Sequence, residues 1–336
     1  MATTSIKEVA RQAGVSIGTV SNVLNRPEIV APSTRQRVLD AIAKLGYVRN
    51  DSARQLRAGR SRTIALVVLD VANPFFTDVV HGAETIAEQH GAMVIVCNSG
   101  EDTARERRHL EMLEEQRVLG VLITPVDDSR ESQLELLISR GTPVVLVDRG
   151  AGQRNRCSVA VDDVLGGPLA GTHLIEQGHD RIAFVGGPFS IRQVADRHEG
   201  LANALTEAGN RPPAIVTTAN LTVAAGRRAV AELADLSADS RPTAVFCAND
   251  LVALGALQEM TLRGWKVPDD VAIVGYDDID FAAAAAVPLS SVRQPREQLG
   301  RSAAQLLLEE VGDDSHQHRH VVFQPDLVVR ASSSGR

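Results

Sequence analysis

Side chains that donate and accept hydrogen bonds follow many of the apolar segments in the middle and C-terminal parts of this 336-residue chain. Carboxylates, amides and guanidiniums occur together there, beside two adjacent phenylalanines in a chain with only 7 Phe, 2 Tyr and 1 Trp. The set consists of Asn73, Phe75, Phe76, Asp148, Arg149, Arg197, Asn249, Asp277 and Gln294. Sugar hydroxyls both donate and accept hydrogen bonds, and a flat ring covers the apolar C–H side of a sugar. The composition of the set therefore predicts binding of a polyhydroxyl ligand.

Each of these residues also has an ordinary structural interpretation. An Asp or Asn directly after a strand often caps the next helix, and this alternative stays open for Asp250 and Asp277. Asn73 and the proline after it are compatible with a simple turn. The two phenylalanines are compatible with core positions, and Arg197 with a surface charge on a helix. The set as a whole is more specific than any one of its members.

Strands that alternate with helices from residue 60 onward must position this polar set. Apolar runs predict buried strands over residues 64–69, 93–97, 120–123, 144–147, 182–185, 214–216, 244–247 and 272–274. Amphipathic patterns predict helices near residues 76–90, 104–117, 130–140, 163–177, 191–208, 224–235, 251–263 and 296–310. This alternation predicts two doubly wound α/β subdomains with parallel sheets. A ligand of such sheets binds beyond the carboxyl ends of the strands, which is where the polar set falls.

The first sixty residues follow a different pattern, with two short helical repeats that meet at a glycine turn. Apolar residues at helical spacing stand on both sides of Gly14, and Ser16 is a natural N-cap for the second helix. Ser33 is suited to cap a third helix, which Gly46 would end. Two short helices joined by a tight turn form a helix-turn-helix, whose second helix enters the major groove of DNA.

The charge of the chain is distributed in agreement with DNA binding. Residues 1–60 hold ten Lys and Arg against four Asp and Glu, whereas the remaining residues hold 25 against 38. A basic head concentrates phosphate attraction at one end of the chain, where release of counterions can drive binding. The alternative, that these arginines are only solvated surface charges, is less favoured because they cluster beside a helix-turn-helix.

Three segments together resemble the LacI family of transcriptional regulators: Val9-Ala10 through Val23-Leu24-Asn25, then Gly46-Tyr47, then Ser52-Ala53-Arg54-Gln55-Leu56. The resemblance implies an all-α helix-turn-helix head joined to two α/β subdomains of the periplasmic-binding-protein type I fold. It also implies a dimer in which a short hinge helix of each subunit enters the minor groove and a leucine wedges open the central base step. The predicted DNA-binding residues are Ser16, Ile17, Gly18, Thr19, Ser21, Asn22, Asn25, Arg54, Leu56 and Arg57.

The same resemblance divides the chain into segments and adds one position to the ligand set. Residues 1–49 would form the head and 50–61 the hinge. Residues 62–161 and 291–320 would form the N-terminal effector subdomain, and 162–290 and 321–331 the C-terminal one with the final strand. The polar set matches the pattern of ribose-binding relatives of this fold. Where such proteins often place a further aromatic residue, this chain has Leu221, which weakens the case for ribose itself.

The expected function is therefore a homodimeric repressor that binds a pseudo-palindromic operator in double-stranded DNA. A small sugar, a pentose or a deoxyhexose, would release it. The alternative is a regulator of the same type that depends on a purine-like corepressor or on a partner protein. An enzyme that acts on sugars is disfavoured, because the chain has no phosphate-cradling glycine loop and no nucleophile motif. The polar C-terminal tail lacks leucine heptads, so nothing supports a tetramer.

Cofactors, metals and membrane segments are not expected. Cys97, Cys157 and Cys247 are odd in number and widely spaced, and Cys97 and Cys247 lie in apolar strand-like runs, which favours buried reduced thiols. Reduced thiols and the lack of an apolar signal segment at the N-terminus favour a cytoplasmic protein. No apolar run reaches the length of a membrane span. His316, His318 and His320 alternate in a polar stretch, where a shared metal is one interpretation and an exposed loop the favoured one.

Overall fold

The computed structural model describes residues 4–47, 61–127, 131–150, 152, 155–313 and 315–334. The chain divides into two compact units, Met1–Arg60 and Ser61–Arg336. No helix in these described ranges is both long enough and apolar enough to cross a membrane.

The first unit is a three-helix head. Its helices are α1 (Ile6–Ala13), α2 (Ile17–Asn25) and α3 (Pro32–Leu45), with a 3₁₀ turn at Pro27–Ile29. The side chains of Val9, Val20 and Val38, one from each helix, are fully buried and form the centre of the small core. Burial of one apolar stripe per helix explains why these short segments are helical, since isolated helices of this length are marginal in water.

Local capping determines where the head helices begin and end. Gly14 ends α1 with a φ of 63°, a left-handed conformation that costs glycine little. The Ser16 Oγ accepts a hydrogen bond from the Thr19 N–H at 3.1 Å, which confirms the predicted cap of α2. The prediction that Ser33 caps α3 is wrong. Ala31 occupies the N-cap, and Pro32 starts the helix because its fixed φ suits the first helical position.

The second unit contains two six-stranded sheets. The first sheet is built from β1 (Thr63–Val68), β2 (Met93–Asn98), β3 (Gly120–Ile123), β4 (Val144–Val147), β5 (Ser158–Val161) and β11 (His320–Phe323). Its order is β11-β5-β4-β3-β1-β2, and all its strands are parallel. The eight predicted strands are all present, and the parallel pairing explains why most of them are continuous apolar runs.

The second sheet repeats this arrangement with one reversed edge strand. Its strands are β6 (Ile182–Gly186), β7 (Ala214–Thr217), β8 (Ala244–Cys247), β9 (Ala272–Asp277), β10 (Ser290–Arg293) and β12 (Asp326–Val328). The order is β12-β10-β9-β8-β6-β7, with β12 antiparallel to β10 and the other pairs parallel. The sequence predicts a final strand within residues 321–331, where β12 lies, but it does not predict the short strands β5, β10 and β11 individually.

Nine helices of this unit are described, and most of them cover the faces of the two sheets. They are α4 (Pro74–Gln89), α5 (Thr103–Glu115), α6 (Glu131–Ser139), α7 (Asp163–Glu176), α8 (Arg192–Glu207), α9 (Val223–Ala234), α10 (Asp250–Leu262), α11 (Asp280–Ala284) and α12 (Arg296–Gly312). The helices α4 and α12 approach so closely that a Cβ on Gly300 would lie 1.9 Å from the Val79 carbonyl oxygen. The pairs α7–α8 and α9–α10 meet at glycines in the same way.

The chain crosses between the two sheets three times, a few residues later than predicted at two of the crossings. The first crossing follows β5, which ends at Val161. The second follows β10, because residues 290–293 pair with β9 in the second sheet. The third lies between residues 323 and 326, because β11 pairs with β5 of the first sheet and only β12 belongs to the second. Pairing with strands distant in sequence, rather than local pattern, sets these two boundaries.

The three cysteines are free thiols. Cys247 is buried as predicted, and Cys157 is buried as well. The prediction that Cys97 is buried is wrong, because Cys97 on β2 is only partly covered. The strand β2 is the outermost strand of its sheet, so one side of it has no neighbouring strand.

Candidate functional site

Arg197 lies at the centre of a buried polar network between the two sheets. It projects from α8 and is 4% exposed. Its Nε donates to the Asp163 Oδ1 at 2.7 Å, and its Nη1 donates to the Ala248 carbonyl oxygen at 2.8 Å. The guanidinium carbon lies 3.7 Å from the ring centroid of Tyr276, a cation–π contact. Arg197 is therefore not a surface charge.

Asp277 ends β9 and joins Arg197 to the other subdomain. Its Oδ2 accepts from the Asn73 Nδ2 at 3.1 Å and its Oδ1 from the Gln294 Nε2 at 2.8 Å, while the Arg197 Nη1 lies 3.8 Å away. Burial raises the pKa of Asp277, and the nearby guanidinium and amide donors oppose that rise. A backbone φ of 101° at Asp277 is costly for any residue except glycine, and such strain occurs often at ligand sites.

Asp148 follows β4 and faces the second subdomain. The Gln193 Nε2 of α8 donates to the Asp148 Oδ2 at 3.1 Å and also to its carbonyl oxygen. Burial, with the added repulsion of Asp163, raises the pKa of Asp148 well above its usual range. The Asp148 Oδ1 and the Gln294 Oε1 are buried and accept no hydrogen bond from the described part of the chain.

A cavity of about 350 Å³ opens beside this network. Arg149, 7% exposed, lines it together with Asp148. The remaining lining residues are Gly150, Gly152, Ala160, Val161, Asp163, Arg192, Gln193 and Asp196. The cavity thus lies between the loop after β4 and the N-terminal ends of α7 and α8. Its polar lining suits a small hydrophilic ligand, and its volume is at the lower end of the usual range for ligand sites.

Direct hydrogen bonds at three places connect the two subdomains around the cleft. Asn73 bonds to Asp277, Gln193 bonds to Asp148, and the Leu221 N–H donates to the Glu101 Oε1 at 3.4 Å. Burial raises the pKa of Glu101 to about 7, although the bond from Leu221 opposes that shift. The cleft is therefore closed by contacts that change if the two subdomains move apart.

Asn249 and Asp250 have clear structural roles at the start of α10. The Asn249 Oδ1 caps the helix by accepting from the Val252 N–H at 2.9 Å, and its Nδ2 donates to the Leu221 carbonyl oxygen at 3.3 Å. Asp250 is fully buried and accepts from the Ser291 hydroxyl at 2.7 Å and from the Ile279 N–H at 2.9 Å. Asn249 is therefore the cap of α10, whereas the Asp250 carboxylate bonds to residues outside that helix, so the capping interpretation left open for Asp250 is wrong.

Phe75 and Phe76 begin α4 and pack edge to face, with ring centroids 4.9 Å apart. They are 2% and 5% exposed and belong to the main hydrophobic core. Asn73 caps the same helix through the Phe75 N–H at 3.1 Å. Asn73 therefore both caps α4 and makes a hydrogen bond to the other subdomain. The two aromatic rings occupy core positions, which is the alternative that the sequence left open.

The predicted DNA-reading residues of the head lie on one helix, α2, and its cap. Ile17 is 46% exposed and so available for contact with a partner. Ser16, Gly18, Asn22 and Asn25 are also exposed, while Thr19 and Ser21 are partly covered. Arg54, Leu56 and Arg57, with most of the predicted hinge, lie outside the described residues.

Several residues of the network were missed from the sequence. Asp163 begins α7, Gln193 lies in the first turn of α8, and Tyr276 lies inside β9 with its side chain fully buried. A carboxylate, amide or guanidinium shortly after a predicted strand is the sequence signal for most of the polar set. Asp163 and Gln193 lie instead at the starts of predicted helices, and Tyr276, two residues after the strand predicted over 272–274, carries a phenol. Glu101 lies closer to that signal, since it comes three residues after the end of β2.

Comparisons with known proteins agree with both units. Residues 5–50 match the model of the bacterial regulatory proteins of the lacI family, and residues 172–333 match the periplasmic binding protein-like domain. The HTH-type transcriptional repressor PurR of Aliivibrio fischeri (strain ATCC 700601 / ES114) is 35% identical over 335 residues, 99% of each chain. The chain belongs to the LacI family. It is a DNA-binding transcriptional repressor by that relationship, and its relatives are not enzymes.

Solved structures of LacI-family regulators are similar over nearly the whole chain. A transcriptional regulator CelR–cellobiose complex has 34% identity and a TM-score of 0.73, and the match covers 98% of this chain and 99% of that one. The lac repressor dimer bound to operator and the anti-inducer ONPF has 28% identity and a TM-score of 0.86, covering 99% and 100%. The paired α/β subdomains are therefore the periplasmic-binding-protein type I fold that the resemblance implied.

Proposed function

We propose that this LacI-family repressor releases its operator when a small sugar, a pentose or a deoxyhexose, binds in the cleft beside Arg197. The observation that carries the proposal is the pair of buried acceptors, the Asp148 Oδ1 and the Gln294 Oε1, that receive no hydrogen bond within the described chain. A buried acceptor without a donor is costly, and the hydroxyl groups of a sugar would supply two donors. Selectivity follows because a ligand that lacks one hydroxyl leaves a protein group unpaired.

The lining of the cavity favours a polyol over a purine base. Its described lining residues include carboxylates, arginines and a glutamine but no aromatic side chain on which a planar base would stack. The two nearby phenylalanines are packed into the core. The related CelR structure contains cellobiose, which supports a sugar as the class of ligand.

A purine-like corepressor is the second candidate. It is favoured by the full-length relatives, which are repressors named PurR. In that case the ligand would tighten operator binding instead of releasing it. The two candidates predict opposite responses of the same DNA complex.

On DNA, we expect a homodimer that places the α2 helix of each subunit in the major groove of a pseudo-palindromic operator. Ile17 can make only apolar base contacts, so it favours a thymine methyl group. Leu56 would act as the minor-groove wedge. An inducing sugar must bind the DNA-incompetent state more tightly, because a ligand with equal affinity for both states shifts nothing. We also propose that residues 1–49 form the head and residues 50–61 the hinge. Because a regulator of transcription must reach bacterial DNA, we place the protein in the cytoplasm.

The test is a thermal-shift panel of pentoses, deoxyhexoses, hexoses, purines and phosphosugars, followed by operator binding measured with each ligand that raises Tm. A ligand at 100 times its Kd stabilises the fold by about 2.7 kcal/mol. A pentose or deoxyhexose that stabilises the protein and weakens operator binding is the expected result. A purine that tightens operator binding would replace this proposal with the second candidate.

Variants locate the site. Arg149→Ala and Asp277→Ala should lose the response to the sugar and keep operator binding. The control is Asp180→Asn, which changes a carboxylate that is 77% exposed. A normal response in either cleft variant at the same sugar concentration would show that the site has been misplaced.

A further inference from the structure

A second cluster of reactive side chains lies at the opposite edge of the first sheet. Cys157 immediately precedes β5, and Glu310 lies in the last turn of α12. His316 and His318 belong to the segment that leads into β11. The strands β4, β5 and β11 are parallel, so their amino ends share one edge, whereas Asp148 follows the carboxyl end of β4. The cluster is therefore separate from the proposed sugar site.

The four potential ligand atoms lie close together. The Cys157 Sγ is 3.1 Å from the His316 Nε2 and 3.8 Å from the His318 Nδ1. The His318 Nδ1 is 3.8 Å from the Glu310 Oε2, and all four atoms lie within 4.8 Å of one another. In a tetrahedral zinc site, bonds of about 2.3 Å to sulfur and about 2.0–2.1 Å to nitrogen or oxygen place neighbouring ligand atoms about 3.3–3.6 Å apart. The cluster needs only a small contraction to enclose such an ion.

The surroundings of the cluster also fit a cation. Cys157 is fully buried, and the Glu310 Oε2 is buried without a hydrogen-bond donor from the described residues. The Arg319 N–H approaches the Cys157 Sγ at 3.4 Å, an N–H···S contact of the kind that supports a metal-bound thiolate. One thiolate and one carboxylate in a covered position would be costly without a compensating positive charge.

We propose that Cys157, Glu310, His316 and His318 form a closed binding site for one Zn²⁺ ion per chain. A thiolate, two imidazoles and a carboxylate are a ligand set that zinc accepts in tetrahedral geometry. Four protein ligands leave no open position, so the ion has a structural role. It joins the end of α12 and the segment before β11 to the start of β5. From the sequence alone, an exposed loop is the favoured interpretation of these histidines. Cys157 lies 159 residues before His316, so the sequence does not show that the two side chains are close together.

The alternative is a set of thiol–imidazole hydrogen bonds that never holds a metal. The two differ in spectroscopy, because Co²⁺ in place of Zn²⁺ gives the intense visible bands of a tetrahedral site and a near-ultraviolet thiolate-to-cobalt charge-transfer band. The test uses the reduced, full-length chain without a polyhistidine tag, treated with chelator and then titrated with Co²⁺. Zn²⁺ added afterwards should displace the cobalt and abolish both features.

Matched variants assign the ligands. Cys157→Ser should abolish the charge-transfer band. Loss of a hydrogen bond that supports a metal ligand weakens metal binding about 10- to 100-fold. His318→Asn removes a ligand itself, so it should weaken Zn²⁺ binding by more than that. The control is His320→Asn, because the His320 Nδ1 lies 3.0 Å from the Ser158 Oγ, outside the four-ligand cluster. Circular dichroism of each variant checks that it folds.

The expected result is one equivalent of Co²⁺ or Zn²⁺ per chain in the wild type and in His320→Asn, with loss in the other two variants. Absence of a thiolate-to-cobalt band in the wild type would overturn the proposal. So would unchanged metal affinity in a folded His318→Asn variant. Sugar and operator binding do not enter these measurements, so the outcome is independent of the function proposed above.

Discussion

Removing the charge of Arg197 while keeping its aliphatic stem should strongly destabilise the second unit. In Arg197→Met, Asp163 and the Ala248 carbonyl lose donors at 2.7 and 2.8 Å, and the Tyr276 ring loses its cation. Each buried acceptor left unpaired costs about 1–3 kcal/mol, and a desolvated cation–π contact contributes about 2 kcal/mol. Because such losses are not additive, we expect about 3–5 kcal/mol, the usual cost of breaking a buried ion pair.

The assay is thermal unfolding at several pH values, with Arg197→Lys as the matched control. For a unit of this size, about 3–5 kcal/mol lowers Tm by roughly 6–20 °C. Arg197→Lys should recover only part of the lost stability, because an ammonium group cannot reproduce the two directed hydrogen bonds and the ring stacking of a guanidinium.

The pH dependence of this loss has a definite sign. Burial already raises the pKa of Asp148 and of Asp277, and Arg197 opposes the rise in both. Without the guanidinium both pKa values rise further, so the folded variant binds more protons than the unfolded chain. Its stability deficit is therefore largest above the raised folded-state pKa values and shrinks as the pH falls through them. A Tm within about 2 °C of the wild type at neutral pH, or a deficit independent of pH, would refute this account of the network.

Three further predictions concern other parts of the molecule. Leu56→Ala should weaken operator binding, measured by fluorescence anisotropy, and leave sugar binding unchanged, measured by calorimetry. An operator affinity equal to that of the wild type would refute the proposal that Leu56 acts as a wedge. Glu101, whose pKa burial raises to about 7, should make the fold less stable as the pH rises from 4.5 to above 7. Glu101→Gln should lose that part of the pH dependence of Tm, and an unchanged profile would contradict it. Gly300→Ala should cost about 1–3 kcal/mol or more in urea unfolding, because its Cβ would overlap the Val79 carbonyl oxygen, whereas the exposed Gln305→Ala should cost little.

Six of the eight predicted apolar strands, β1, β3, β4, β6, β8 and β9, could be predicted from the sequence because they are buried on both faces. The other two, β2 and β7, are partly exposed edge strands that are nevertheless apolar. The strands that complete the sheets could not be predicted in this way. β5 and β10 contain the buried serines Ser158, Ser290 and Ser291, and β11 begins with His320, so none of them is a continuous apolar run. Their strand conformation comes from partners far along the chain, such as the pairing of β11 with β5.

The same limit applies to the candidate site. Asn73 and Asp148 follow predicted strands, and Asp277 ends one, so a rule about strand ends found these three. Gln294 follows β10, which the local pattern does not predict, and it joined the set through the match to ribose-binding relatives. Their partner Asp163 belongs to the first turn of a helix and looks like an ordinary capping or first-turn acid in the sequence. Its role depends on a 2.7 Å bond to Arg197, 34 residues away, that only the packing of α7 on α8 creates.

The order of strands has a consequence for synthesis of the protein on the ribosome. The head is encoded within the first sixty residues and its core consists of local contacts, so it can fold as soon as it emerges. Neither sheet can be completed until the last part of the chain is made, because β11 and β12 each fill an edge. A chain whose synthesis ends before residue 320 thus contains a folded head, whereas each of its two sheets lacks one of six strands. Only complete translation therefore yields a chain that contains both the DNA-binding head and two complete effector sheets.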